Sequence, residues 1–394
     1  MFAKKIRVLL PIVMLVLSMH SYAQLRDSIQ FSLLTCSPGT EIYSLFGHTA
    51  IRYRNFTQKK DLVFNYGMFS FSTPNFIYRF VKGETDYQLG VNEFRYFEAE
   101  YMLRGSYVYE QILNLKQDEK LKLQNLLFTN YLPQNRVYRY NYFYDNCTTR
   151  AIIQIEKSID GEVIYPAPPS GKTFRGIVHE FTRGYQWEEF GIDLCLGAEA
   201  DKEIGLRQQM FSPFYTLDFA DKAYIKDING QTRPLVLKKE TIVQAEKHSD
   251  TEKCFPFSPM ACAVAFMLIN LVVSLIQVVK VKIYFLYDLI LYLLQGVSGC
   301  IIAFLFFFSV HPTVGSNWMI VLLNPIPLIY LPFMLYNDIK HKKDKYHVIN
   351  LAYLTIFILA WTVIPQEFNL SVLPLALGLL FNALSHVLVY KRMK

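Results

Sequence analysis

Residues 259–390 are almost continuously apolar, and no other feature constrains the chain as tightly. A backbone immersed in hydrocarbon must satisfy its own N–H and C=O groups, so such a stretch has to fold as helices. Five spans are legible, near 259–279, 283–309, 318–336, 346–364 and 370–390. Each has about 19 to 27 residues, enough to cross a hydrocarbon core of roughly 30 Å. This region lifts the chain to 52% hydrophobic residues, above the roughly 45–50% usual for soluble proteins.

The connections between spans alternate in charge. Lys280 and Lys282 follow the first span, Lys340, Lys342, Lys343 and Lys345 the third, and Lys391, Arg392 and Lys394 the fifth. Residues 311–317 and 365–369 contain neither Lys nor Arg. The positive-inside rule therefore puts the basic connections and the C-terminus in the cytoplasm. Five crossings then leave residue 258, and everything before it, outside. The amino end agrees: Lys4, Lys5 and Arg7 precede an apolar run over 8–19 and the small-residue site Ser21-Tyr22-Ala23. That is a secretory signal cut after Ala23, with an uncleaved anchor as the competing reading. The expectation is a multi-pass protein of a bacterial inner membrane: a signal peptide over 1–23, a periplasmic domain over 24–250 and a transmembrane helical domain over 251–394. The net charge of +7 belongs largely to the clusters that flank spans, so no nucleic-acid partner is expected. Within the spans, Asp288 is a costly charge and hence a functional suspect, with snorkelling to the interface as its rival. His311 and Asn317 read as part of a solvated outer turn.

The exported part mixes apolar and charged residues as a soluble domain does. Alternation predicts strands over 44–53, 61–71, 88–94 and 107–115, and an amphipathic helix over 118–132. Residues 187–197 read as loops and short helices closing one side of this domain. Asn229-Gly230 carries a hairpin signal, and 238–253 reads as a charged connector. The chemistry centres on Asp145-Asn146-Cys147-Thr148-Thr149. Asp145 or Asn146 is a natural helix N-cap, which puts Cys147 in the first turn. A helix N-terminus favours the thiolate, the form that acts as nucleophile. His48, on the first predicted strand, is the candidate base, and Asn65 the candidate group that orients its ring. The plain alternatives are a buried, inert Cys147, a disulfide with another exported cysteine, and a structural His48. No metal-ligand spacing, phosphate loop or Gly-x-Ser-x-Gly elbow is present, so neither metal nor cofactor is expected.

Ser44-Leu45-Phe46-Gly47-His48-Thr49-Ala50-Ile51-Arg52 and Tyr144-Asp145-Asn146-Cys147-Thr148-Thr149-Arg150 resemble the Lnb-type lipoprotein N-acyltransferases. Asn65-Tyr66-Gly67, Trp187, Phe190-Gly191, Asp193-Leu194 and Leu196-Gly197 extend the likeness over nearly the whole mature chain. The resemblance implies an α+β, permuted papain-like domain similar to lecithin–retinol acyltransferases, followed by an all-α transmembrane bundle of about five helices. It also implies Cys147 as nucleophile and His48 as base, a phospholipid as acyl donor and a lipoprotein as acceptor. A membrane-anchored cysteine peptidase or amidase acting on cell-wall peptide would use the same Cys–His pair, and a non-catalytic scaffold would use neither residue.

Overall fold

The structure, a computed structural model, describes residues 28–244, 255–340 and 342–393. The signal expected over 1–23 and most of the connector lie outside these residues. The described chain divides into two compact units that interleave in sequence. The first takes residues up to 74, 85–170 and 205–249; the second takes 75–84, 171–204 and 250 onward.

The first unit is built on a seven-stranded antiparallel sheet. Its strands are β1 (Ile29–Cys36), β2 (His48–Asn55), β3 (Lys60–Met68), β4 (Asp86–Glu93), β5 (Val108–Leu113), β6 (Val137–Arg139) and β10 (Val236–Val243). They lie in the order β10-β5-β1-β2-β3-β4-β6. A small second sheet joins β7 (Gly161–Ile164), β8 (Tyr224–Asp227) and β9 (Thr232–Pro234), with Asn229-Gly230 in the hairpin between the last two. Successive side chains leave opposite faces of a strand, and here both faces are buried. Phe31, Leu33, Ile51, Tyr53, Phe64 and Tyr66 enter one core. Leu123 and Leu127 of the helix Gln117–Tyr131, and Ala151, Ile152 and Ile155 of the helix Cys147–Ser158, close that face. Leu34, Cys36, Ala50 and Val63 enter the other core, against Phe94, Phe97 and Tyr101 of the helix Phe94–Leu103. Arg52 is anchored on this second face: it makes two bonds to Asp61 at 2.6 and 2.8 Å, reaches Glu110 at 3.2 Å and lies 3.3 Å over the Phe94 ring. The unit is α+β.

The sequence reading lacks β1, β6 and β7 and takes part of β10 as connector. β1 was not expected, and it occupies the middle of the sheet. Residues 236–243, expected in part as connector, form an edge strand on β5.

The second unit holds the apolar helices. Pro259–Lys280, Phe285–Phe308, the pair Met319–Leu322 and Ile326–Ile339, and Val372–Arg392 are long and apolar enough to cross a membrane. The third of these is broken around Asn324-Pro325. The fourth expected span is a shorter helix, Lys345–Leu359, of 15 residues. Residues 171–204 cluster with these helices, and with them 187–197, expected to close one side of the exported domain. Their two helices, Phe174–Thr182 and Gln186–Cys195, are organised by Arg175, whose side chain is fully buried. It bonds Asp193 at 2.8 Å, Asp201 at 2.6 Å and the Leu196 carbonyl at 3.0 Å. Gly197 sits so close to residues 313–317 that a Cβ there would lie 2.6 Å from the Asn317 nitrogen. The expected solvated turn is therefore a docked loop: Asn317 is 1% exposed and donates to the Leu194 carbonyl, and His311 bonds the Phe80 carbonyl. Asp288 does not snorkel. It is fully buried and accepts a bond from Asn382 at 2.7 Å.

Candidate active site

Asn146 is the N-cap of the helix Cys147–Ser158. Its Oδ1 accepts from the amides of Thr148 and Thr149, both at 2.9 Å, while Thr149 Oγ1 accepts from the Asn146 amide at 2.8 Å. The other end of the Asn146 amide donates to the carbonyls of Tyr142 and Phe211 at 2.9 and 2.8 Å. Every polar group of this side chain has a partner, so the helix start is rigidly placed. Asp145 is held by a two-pronged bond to Arg150, whose guanidinium covers the Tyr138 ring. Cys147 is thus the first helical residue, where the partial positive charge of the helix end is felt most.

His48 opens β2. The preceding Gly47 has φ +77°, and a Cβ on it would lie 2.5 Å from the Cys36 carbonyl oxygen, so only glycine fits this turn into the strand. The Ile51↔Phe64 pairing of β2 with β3, extended by one, sets Asn65 opposite Ala50. Asn65 and His48 then share a face and meet diagonally. His48 Nε2 is 3.1 Å from Asn65 Oδ1. Since that oxygen only accepts, Nε2 carries the proton, and Nδ1 is the nitrogen left to face sulfur. His48 and Cys147 lie close enough that each shifts the other's proton affinity. The structure therefore brings together all three expected site residues, His48, Asn65 and Cys147.

Burial disfavours the Cys147 thiolate, but the His48 imidazolium and hydrogen bond, the Thr49 amide and the Thr148 hydroxyl overcome it. The thiol is lowered to about 7. Burial likewise works against a charged His48, and the Cys147 thiolate together with the bonds to Cys147 and Asn65 reverses it, leaving the imidazole raised. The five described cysteines are free thiols, so no disulfide competes among them. Thr49 and Thr148 are site residues that the sequence did not single out; their hydroxyls meet at 3.0 Å and lock β2 to the helix start. They carry no sequence signal beyond adjacency to His48 and Cys147.

An aromatic track leaves this site. Gly67 brings Cys147 and Tyr140 together, a Cβ there lying 3.7 Å from each. Tyr140 stacks on Tyr87 at 4.1 Å, Tyr87 meets Phe69 at 5.1 Å, and Phe69 meets Phe71 at 5.0 Å and Tyr43 at 6.0 Å. Phe71 and Tyr43 are 67% and 55% exposed, so the track ends in an open apolar surface. A cavity of about 670 Å³ lies elsewhere, along the helices Gln117–Tyr131 and Cys147–Ser158, and the three site residues do not line it.

The geometry is that of a thiol nucleophile with an oriented base. Comparison with known proteins gave two family matches: the Lnb N-terminal periplasmic domain over residues 23–168 and the Lnb transmembrane domain over residues 250–393. Neither the curated proteins nor the solved structures compared gave a match. With both domains matched in this order over well over half its length, the chain belongs to the Lnb family, as a multi-pass membrane protein with a periplasmic N-terminal domain.

Proposed function

We propose that the protein is a thiol-dependent lipoprotein N-acyltransferase, with Cys147 as nucleophile, His48 as base and Asn65 as the group that orients it. The observation that carries this reading is the placement of Cys147 as the first residue of a helix capped by Asn146, beside a His48 ring held by Asn65 at 3.1 Å. In the first half-reaction the Cys147 thiolate attacks an acyl-ester carbonyl of a phospholipid. The C–O bond breaks, the leaving alkoxide takes the proton from His48, and a lysophospholipid departs from an S-acyl enzyme. In the second, the free α-amine of a diacylglyceryl-cysteine lipoprotein attacks the thioester. His48 takes the amine proton, the C–S bond breaks, and an N-acylated lipoprotein leaves with the thiolate restored. The amides of Thr148 and Thr149 are committed to Asn146, so the oxyanion draws on donors other than these two. The exposed aromatic track supports an apolar acyl donor over a peptide. A membrane-embedded chain is suited to a substrate that does not leave the bilayer.

Mass spectra of lipoprotein N-termini test the reading in cells that rely on this chain. Deletion and Cys147→Ala should both remove the N-linked acyl chain, and wild type should restore it. Unchanged lipoproteins with altered cell-wall peptides would favour the peptidase reading, and full N-acylation by Cys147→Ala would leave a scaffold.

A further inference from the structure

One short helix interrupts the large sheet in sequence without belonging to its unit. Residues 75–84 lie between β3 and β4, yet they cluster with the membrane helices. Their helix, Phe76–Lys82, is fastened just beyond the end of the span Phe285–Phe308. The Val310 amide donates to the Lys82 carbonyl at 2.9 Å, the Ser309 hydroxyl to the Val81 carbonyl at 2.8 Å, and His311 Nε2 to the Phe80 carbonyl at 2.7 Å. Gly83, at φ +78°, closes the joint: a Cβ there would lie 3.0 Å from the His311 nitrogen.

These bonds set the depth of the helix. With the N-terminal domain in the periplasm, the first span runs inward and the second returns, so 309–311 emerge on the periplasmic side. The Tyr78 ring lies 5.9 Å from that of Phe304, one helical turn before the span ends. A turn rises about 5.4 Å, so Tyr78 reaches past the mouth of the span to the level of acyl chains. Ile77 is 76% exposed, Tyr78 56% and Phe80 48%, an open apolar face at a depth where the solvent is lipid. Arg79 and Lys82 are drawn instead to the Glu84 turn, by two bonds to its carbonyl at 3.0 and 3.2 Å and an ion pair at 2.9 Å. Apolar side chains left open and cationic ones gathered apart are the division of an interfacial helix. The periplasmic end of the first span is marked in the same way. Trp187 donates to the Phe257 carbonyl at 3.0 Å and packs on Phe255, and Phe255 and Phe257 are each 59% exposed.

We propose that Phe76–Lys82 inserts Ile77, Tyr78 and Phe80 into the periplasmic leaflet, with phospholipid acyl chains covering its open face. The segment leaves β3 just after Asn65 and Gly67 and passes Phe69 and Phe71 of the aromatic track. It therefore holds this connection of the sheet at the lipid surface; that the surface supplies the acyl donor rests on the acyltransferase reading. The test labels Ile77→Cys, in the otherwise cysteine-free full-length chain, with an environment-sensitive dye in phosphatidylethanolamine–phosphatidylglycerol vesicles. Nitroxide lipids should quench it as they quench Ile269→Cys, on an exposed face of the first span, and aqueous iodide should quench it far less than Lys202→Cys. Iodide quenching equal to that at Lys202→Cys, or protection from both quenchers as a contact with a second copy would give, overturns the proposal. In the chain with its native cysteines, Ile77→Asp should leave the thermal midpoint in detergent unchanged. It should lower acyl transfer from vesicle phospholipid about tenfold, the low end of what burying one large aliphatic side chain is worth. Transfer from a short-chain phospholipid dissolved as monomers should stay intact, and an equal loss with both donors, or none, overturns the role in donor supply. A label held in lipid on a chain whose wild type transfers no acyl group leaves the insertion standing and removes the acyltransferase reading instead.

Discussion

Two thiols of the sheet unit, Cys36 and Cys147, are buried to similar degree and answer to different neighbours. Cys36 sits in the core on β1, and burial pushes its thiol well up, against a weaker pull from the Tyr101 hydroxyl. Cys147 bears the same penalty, but His48 and the Thr49 amide outweigh it. Alkylation follows the thiolate, so the two sites should separate by pH. For Cys147 the rate of modification by iodoacetamide should rise through pH 7 and level off above it, while Cys36 stays unreactive in the folded protein. His48→Ala removes the charge that favours the thiolate and leaves the burial. The midpoint should then move above the roughly 8.5 of a free thiol. Asn65→Ala should move it part of the way and lower acyl transfer by about 100-fold, at the lower end of what an oriented general base contributes. A wild-type midpoint at or above that of a free thiol would remove the basis for the nucleophile assignment.

At the scale of elements, local features were legible and long-range ones were not. The Cys147 helix announces itself because Asn146 caps it within three residues, and the Asn-Gly hairpin does the same. β1 went unread because both its faces are buried, so the alternation that marks a half-buried strand is missing. β10 went unread because Lys238, Lys239 and Glu240 suit an exposed edge strand as well as they suit a linker. The pairing of His48 with Asn65 depends on the register of β2 on β3, which turn chemistry and burial decide together. Arg175 carries no local signal that sets it apart from other charged residues, yet in the fold it is a fully buried hub for Asp193, Asp201 and Leu196. Breaking a buried ion pair on one side costs about 3–5 kcal/mol, because the partner charge remains. Arg175→Met keeps much of the volume and none of the donors. It should therefore lower the thermal midpoint of the detergent-purified protein markedly, whereas the exposed Lys202→Met should leave it unchanged. Equal midpoints for wild type and Arg175→Met would mean that residues 171–204 are held by packing alone.

For the molecule as a whole, the short helix Lys345–Leu359 decides the topology. At 1.5 Å per residue it is only about 22 Å long, less than the roughly 30 Å of a hydrocarbon core. If it turned back, the chain would cross four times and the basic tail Lys391-Arg392 would face outward, against the charge rule. The hydrogen bonds of the connections argue the other way. Gln366, beyond the short helix, accepts from the Trp318 amide at 2.8 Å and donates to Asn317 at 3.0 Å. Asn369 donates to Asp193, and the Glu367 amide to Asp201. Residues 365–369 therefore share a face of the helical unit with 313–317, the connection that lies beyond the second span. The non-helical turn 360–364 completes the distance that the helix leaves uncovered. We propose on this basis five crossings, which with the N-terminal domain in the periplasm would put the C-terminus in the cytoplasm. Alkaline phosphatase fused after Lys394 should be inactive and green fluorescent protein at the same position bright, while a single cysteine introduced at Gly315 in an otherwise cysteine-free chain should react with an impermeant maleimide in intact spheroplasts. Active phosphatase at the C-terminus would mean that residues 345–364 re-enter rather than cross, and that the Lys-rich connections do not set the orientation.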